Sequence, residues 1–347
     1  MSLPNTMKAL EKSHPQEGLW MVQAPVPEIG PDEVLIKVKK TGICGTDIHI
    51  WNWDEWAAHT VPVPLITGHE FAGEIVEIGR NVEDLAVGQR CSGEGHLIKT
   101  DSRQSRAGKF HLDPGTRGIG VNEQGAFAQY LAIPERNLVP IPDGMDINRA
   151  ALAEPLATGW HAVVAADRAT DRPLTECRAL VFGGGAVGLA AALALRAQGC
   201  REIEIAETNP LRRETVSVAG IGRAFDPRED QAIAPTSVDL VIDCVGGRAT
   251  RMAASQAVRP GGVIVHVGLM DSDDGLDIRK LTLQEVTFIG TYTYTMQDFR
   301  ATVTAMHAGA LGNLDWFEVR SLANGGDAFD DLLRGRTSSA KIILRPD

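Results

Sequence analysis

A few short segments of the chain carry side chains whose types and spacing suit catalysis. TGICGTDIHIWNWDEW supplies Cys44, Thr46, Asp47 and His49, TGHEFAGEIVEIG supplies His69 and Glu70, and ALAEPLATGWHA supplies Glu154 ahead of a proline. Taken singly, each has an ordinary reading. A lone cysteine is most often a small buried hydrophobe, and a lone histidine or glutamate a solvated or hydrogen-bonded side chain. Together, Cys44, His69, Glu70 and Glu154 offer thiolate, imidazole and carboxylate, the donor set of a catalytic zinc that keeps one position open for water or substrate. Whether they converge is a question for the fold.

A second chemistry is written in ALVFGGGAVGLAAALALRAQG, where Gly183, Gly185 and Gly188 have G-x-G-x-x-G spacing after a strand and at the start of a helix. The first glycine allows a tight turn, the second lets the backbone approach a pyrophosphate, and the third lets helix and strand pack closely. The helix N-terminus then stabilises the anion. The next strand, EIEIAE, leads into Glu207, nineteen residues after Gly188, where an acid accepts hydrogen bonds from an adenosine ribose. That carboxylate would repel a 2′-phosphate, so NAD is favoured over NADP, although Arg212 and Arg213 follow closely and an arginine can hold the phosphate.

These residues need elements to position them. The first 140 residues are rich in short β-branched runs such as VLIKVKKTG, FAGEIVEIG and FAQYLAIP, separated by turn signals. That texture predicts a largely antiparallel, barrel-like β domain. From about residue 160 the pattern becomes strand–helix alternation: ALVFGGG, a helix over 186–198, EIEIAE, VDLVIDCVGG and GVIVHVG. Fully apolar strands alternating with helices predict a parallel sheet covered on both faces. After about 292 the chain returns to mixed pieces ending in SSAKIILRP.

The bulk numbers fit two domains in 347 residues with 44% hydrophobic and 23% charged content. A net charge of −11 argues against a nucleic-acid or anionic-membrane surface. There is no charged start followed by an apolar run, and the cysteines at 44, 91, 177, 200 and 244 contain no C-x-x-C pair. A reducing cytoplasm is the expected location.

The order CGTDIH, GHEFAGEIVEIG, VGQRCSGEGH, AEPLATG and GGGAVG resembles the zinc-dependent medium-chain dehydrogenase/reductase (alcohol dehydrogenase) family over essentially the whole chain. The resemblance implies an α/β protein. A GroES-like β-barrel catalytic domain would span 1–158, a doubly wound Rossmann NAD-binding domain 159–291, and residues 292–347 would return to the catalytic domain. It implies that Cys44 and His69 hold a catalytic zinc, with Glu70 and Glu154 as direct or water-bridged ligands, and that Asp47 orients His69. Val187 would pack on the cofactor and Arg212 would lie by the adenosine. Val267, Gly268 and Leu269, with Thr291 and Tyr292, would line the nicotinamide end. Thr46 would accept the substrate proton and His49 would pass it to solvent after a relay through the cofactor ribose. Homodimers or homotetramers are usual in the family.

The stretch 95–114, GHLIKTDSRQSRAGKFHLDP, is long, polar and basic. In the family this position commonly carries a structural zinc on cysteines spaced C-x2-C-x2-C-x7-C. The matching residues here are Lys99, Ser102, Ser105 and Asp113, so one zinc per chain and no structural zinc is expected. Substrate cues divide. CGTDIHIWNWDEWAAHTVPVP and SGEGH are similar to bacterial L-threonine 3-dehydrogenases, in which the histidine matching His96 helps select the substrate. PLATGWHA and FIGTYTYTMQDF are closer to polyol, sorbitol-type and secondary-alcohol dehydrogenases. The expectation is hydride transfer to NAD from a secondary alcohol or small polyol, with L-threonine as the alternative. A zinc-free reductase would lack the CGTDIH and GHE ligands, and a non-catalytic NAD-binding protein would have no use for them.

Overall fold

The computed structural model describes residues 3–229, 233–271 and 273–347. Strand Glu33–Gly42 organises the first part. Its near-continuous apolar start, VLI, is buried on both faces: Leu35 packs with Leu10, Phe127 and Phe329, while Val34, Ile36 and Val38 pack with Phe71 and Ile75. It pairs antiparallel with Glu70–Ile78 and Tyr130–Pro134, and its far end pairs with the last strand of the chain, Lys341–Arg345. The C-terminal segment therefore completes the sheet that the N-terminal segment begins. A smaller three-stranded sheet of Trp20–Pro25, Thr6–Lys12 and Leu65–Ile66 lies beside it.

The second part is a six-stranded parallel sheet in the order Arg223–Phe225, Glu202–Ala206, Arg178–Phe182, Val238–Asp243, Val258–His266, Thr287–Gly290. Every residue of Val238–Asp243 is buried, as expected for a central strand covered on both faces. The strand order reverses on either side of Arg178–Phe182, which creates a crevice at the carboxyl ends of the strands where ligands of such sheets bind. The helices Ala153–Ala169 and Ala186–Ala197 pack together in one hydrophobic core with this sheet.

The cysteine-free lobe is ordered by its own polar contacts. Strands His96–Ile98 and Thr116–Gly118 pair at its base, and a short helix Arg103–Arg106 and a 3-10 turn Phe110–Leu112 lie between. Ser102 Oγ accepts from the amides of Gln104 and Ser105, and Ser105 Oγ accepts from the amide of Ser102 at 2.9 Å. Asp113 accepts from Ser102 Oγ at 2.6 Å, from the Gly115 amide at 2.8 Å and from Thr100 Oγ1. Positions 102, 105 and 113 thus meet, joined by hydrogen bonds, while Lys99 turns away to pair with Glu123.

The hydrogen bonds from Ser102 and Thr100 hold the Asp113 carboxyl down at about 2. Its contribution is therefore complete above the ordinary carboxylate range and is lost only as pH falls toward 2. Asp113→Ala is expected to speed trypsin cleavage at Arg103, Arg106 or Lys109 several-fold without opening the rest of the chain. Unchanged protection of these bonds would show that Asp113 does not organise the lobe.

Candidate functional site

Cys44, His69 and Glu70 converge although they come from different elements. Cys44 caps the helix Gly45–Asn52, His69 precedes strand Glu70–Ile78, and Glu70 begins it. One ligand atom from each lies within 4.8 Å of the others. Gly42 makes room for Glu70, because a Cβ there would lie 2.0 Å from Glu70 Oε2. His69 Nδ1 and Glu70 Oε2 are buried without a hydrogen-bond partner. Burial alone would lower the His69 pKa, but Cys44, Asp47 and Glu154 outweigh it and raise it well above the ordinary value. A pocket that draws a proton onto a buried imidazole also favours a divalent cation, which displaces that proton. Thiolate, imidazole and carboxylate at this spacing fit zinc.

Glu154 stands apart from that close set. It lies in the first turn of the helix Ala153–Ala169, buried and hydrogen-bonded to Tyr294, with its pKa raised by burial and by the charge of Glu70. Asp47 acts on His69 through its charge, but no hydrogen bond joins them among the described residues. Asp47 Oδ2 accepts from the Cys44 amide at 2.8 Å, and Asp47 Oδ1, like His69 Nδ1, has no partner.

Several supporting residues carry no signal that a reading of segments picks up. Lys341 is 4% exposed, lies 2.5 Å from Glu70 Oε1 and donates to the Ile43 carbonyl at 2.8 Å. Burial opposes its charge, yet Glu70 and Cys44 raise its pKa. Lys12 is fully buried beneath the helix Gly45–Asn52, where its ammonium donates to the carbonyls of Gln16, Gly18 and Trp51 and faces the rings of Trp20 and Trp53. Burial pushes its pKa down to about 8. On that helix Thr46 is partly exposed, and His49 Nδ1 lies 2.5 Å from Asp54 Oδ2, which fixes the ring.

The dinucleotide residues gather along the carboxyl ends of the parallel strands. Gly183 has φ +95°, and a Cβ on Gly188 would lie 1.9 Å from the Gly183 carbonyl oxygen, so both positions require glycine. Gly185 begins the helix containing Val187, and no side chain caps it. Those first amides suit a pyrophosphate. Glu207 accepts from the Gly184 and Asn209 amides, both at 2.7 Å. Arg212 approaches Gly185, whereas Arg213 is committed to Asp226 and to the carbonyls of Glu207 and Thr208. The amides of Val267 and Gly268 both donate to the Asp243 carbonyl, Leu269 is exposed, and the Thr291 amide donates to the His266 carbonyl.

His96 lies on the substrate side of this arrangement. Its Nδ1 and amide both bond the buried Glu94 carboxylate, which Asn137 also holds at 2.9 Å. The His96 ring is 5.6 Å from that of Tyr292 and 6.3 Å from that of Tyr294. Tyr292 in turn lies in the field of Glu154 and Cys44, which with burial raises its pKa. The ligand set, Tyr292 and His96 thus follow one another, and the region they border is the candidate cleft. A separate cavity of about 760 Å³ lies under the lobe, lined in part by Lys109, Arg136, Arg168 and Arg300, and contains none of the ligand set.

Residues 30–143 match the family model of the alcohol dehydrogenase GroES-like domain, and residues 186–308 match that of zinc-binding dehydrogenase. The chain is 47% identical to an L-threonine 3-dehydrogenase of Ruegeria pomeroyi, over 97% of this chain and 99% of that protein. It is 38% identical to an L-threonine 3-dehydrogenase of Chelativorans sp., over 89% and 90% respectively. The crystal structure of 2R,3R-butanediol dehydrogenase from Bacillus subtilis superposes with a TM-score of 0.85 at 26% identity, over 98% of this chain and all of that one.

The Lys341–Glu70 pair is testable apart from these likenesses. Lys341→Met strands a buried carboxylate and is expected to cost about 3–5 kcal/mol of unfolding free energy, read from denaturant titration. A cost below about 1 kcal/mol, the value of an exposed pair, would show that Glu70 does not depend on Lys341.

Proposed function

Because the chain belongs to the zinc-dependent medium-chain dehydrogenase family, we propose that it oxidises the 3-hydroxyl of L-threonine with NAD at a single zinc site. That it is an NAD(P)-dependent dehydrogenase of CH–OH groups follows from the family; the substrate is our reading. One observation carries it: 47% identity to an L-threonine 3-dehydrogenase along nearly the full length of both chains. The secondary-alcohol or polyol expectation, drawn from PLATGWHA and FIGTYTYTMQDF, has weaker support, since the diol dehydrogenase named above shares 26% identity. Glu94 holding His96 beside the cleft also supports a polar, amino-acid substrate.

Cys44, His69 and Glu70 would hold the zinc, and Glu154 would stand beside it. When bound, the metal supplies Lewis acidity toward the substrate hydroxyl, and the nicotinamide supplies the hydride acceptor. The chain's own residues do the rest. Thr46 takes the hydroxyl proton, and His49, fixed by Asp54, hands it to solvent. Gly183, Gly185 and Gly188 seat the pyrophosphate, with Val187 and Arg212 against the adenosine half. Val267, Gly268, Leu269, Thr291 and Tyr292 keep the reacting ring against the cleft.

Glu207 favours NAD because its buried carboxylate, held by two amides, occupies the place a 2′-phosphate would need. Strand Thr287–Gly290 is an edge strand of its sheet with Phe288 exposed, which supports assembly with further copies of the chain as a dimer or tetramer. The free cysteines suit a cytoplasmic setting.

The deciding experiment is NAD reduction with L-threonine, 2,3-butanediol and sorbitol at saturating NAD. A preference for L-threonine of about tenfold or more, or about 1.4 kcal/mol at the transition state, is expected. A preferred diol with inert threonine would restore the polyol reading. Glu207→Ala is expected to cut the NAD over NADP preference by about tenfold or more, through loss of a charge contact, and an unchanged ratio would place cofactor choice elsewhere. His49→Gln is expected to slow oxidation most at low pH; an unaltered pH–rate profile would remove His49 from the proton path.

A further inference from the structure

The imidazoles of His96, His111 and His161 meet edge to face beside the cleft. The ring of His111 lies 6.4 Å from that of His96 and 5.5 Å from that of His161, and 6.4 Å from that of Tyr292. The flanking pair are each matched to an acid. His96 bonds Glu94, and His161 Nδ1 lies 2.7 Å from Asp298 Oδ2. His111 has no such partner. It is 5% exposed, and its Nδ1 is buried without any hydrogen bond. The charged groups that bear on it are His96, His161 and Lys109 on the positive side and Asp298, already committed to His161 and Thr295, on the negative.

We propose that His111 is a specificity-determining residue that recognises the substrate carboxylate, giving His111 the acid partner that Glu94 and Asp298 give its neighbours. This rests on the reading of the substrate as L-threonine. The placement fits a short hydroxy acid. Tyr292 links the two regions, with its ring 5.6 Å from that of His96 and 6.4 Å from that of His111 and its hydroxyl under the influence of Glu154 and Cys44. In this proposal a substrate hydroxyl at the ligand set directs its carboxylate, two carbons along, past Tyr292 toward the imidazoles. Burial and the two adjacent imidazoles hold the His111 pKa down near 4, so the ring is neutral and offers one N–H to an anion. His111 belongs to the 3-10 turn Phe110–Leu112, two residues before Asp113. The hydrogen-bonded lobe thereby acquires a function, which is to deliver this ring to the cleft.

The test compares the full-length wild type, His111→Phe and His111→Gln on L-threonine, 3-hydroxybutyrate and 2-butanol. His111→Phe is expected to raise KM for both acids by about tenfold or more, the effect of one hydrogen bond to a charged group, and to leave kcat/KM for 2-butanol unchanged. His111→Gln keeps an N–H donor and is expected to retain most of the acid preference. Parallel losses on all three substrates, or no loss on the acids, would overturn the proposal. If His111→Phe does not fold, His111→Ala is judged by the same criteria. A wild type that ignores L-threonine but uses 3-hydroxybutyrate refutes the threonine reading, and the hydroxybutyrate-to-butanol comparison still decides the role of His111. A wild type that uses 2-butanol and rejects both acids refutes both.

Discussion

Burying a carboxylate beside a cysteine sulfur demands compensating positive charge. Cys44 and Glu70 face that demand at the end of the Glu33–Gly42 sheet, where Glu70 has no solvent exposure at all. Lys341 answers part of it. Its strand is the last in the chain, paired through Ile343 with Gly42 and through Leu344 with Thr41, so the lysine arrives only when the C-terminal segment has docked. An isolated buried charge costs several kcal/mol, and one lysine faces two acids here, Glu70 and Glu154. A divalent cation held by Cys44, His69 and Glu70, as proposed, would complete the balance. The long return of the chain is thus an electrostatic requirement of the site as well as a topological one.

What could be read from sequence follows from how local each signal is. The phosphate loop was legible because Gly183 and Gly188 serve geometry within a single turn, and their types are forced by a positive φ and a carbonyl contact. Apolar runs such as VDLVID report burial on both faces by themselves. Cys44, His69 and Glu70 were legible only as a set of donor types, since their convergence depends on pairing between strands far apart in sequence. Lys341 was not legible: a lysine heading the strand KIILR looks like an ordinary strand-end cation until its partner, 271 residues away, is seen. Glu94 was passed over for a related reason, because its partner His96 attracted attention as a lone imidazole. Asp47 illustrates a partial match: its charge reaches His69, while one carboxylate oxygen holds the Cys44 amide and the other has no hydrogen-bond partner.

The lobe illustrates how a fold can keep a segment's shape after its usual fastener is gone. Ser102, Ser105 and Asp113 stand where thiolates would converge, and they still converge. Hydroxyl and carboxylate cannot provide four soft donors for zinc, but one acceptor-only carboxylate surrounded by donors forms a small hub of its own. Order in this lobe then comes from short-range polar contacts, while Lys99, free of any role at the hub, pairs at the surface with Glu123. On the single-zinc reading proposed above, the integrity of the lobe would not depend on metal supply, whereas the proposed catalytic centre would.

The most direct measurement of the central claim is zinc X-ray absorption with elemental analysis on protein purified without a histidine tag. One zinc per chain is expected, with a single sulfur at about 2.3 Å and nitrogen or oxygen donors at about 2.0–2.2 Å. Close to two zincs per chain, with the average sulfur count halved, would reveal a second site without cysteine, such as the lobe. A single zinc without sulfur, or none, would contradict a centre built on Cys44, His69 and Glu70.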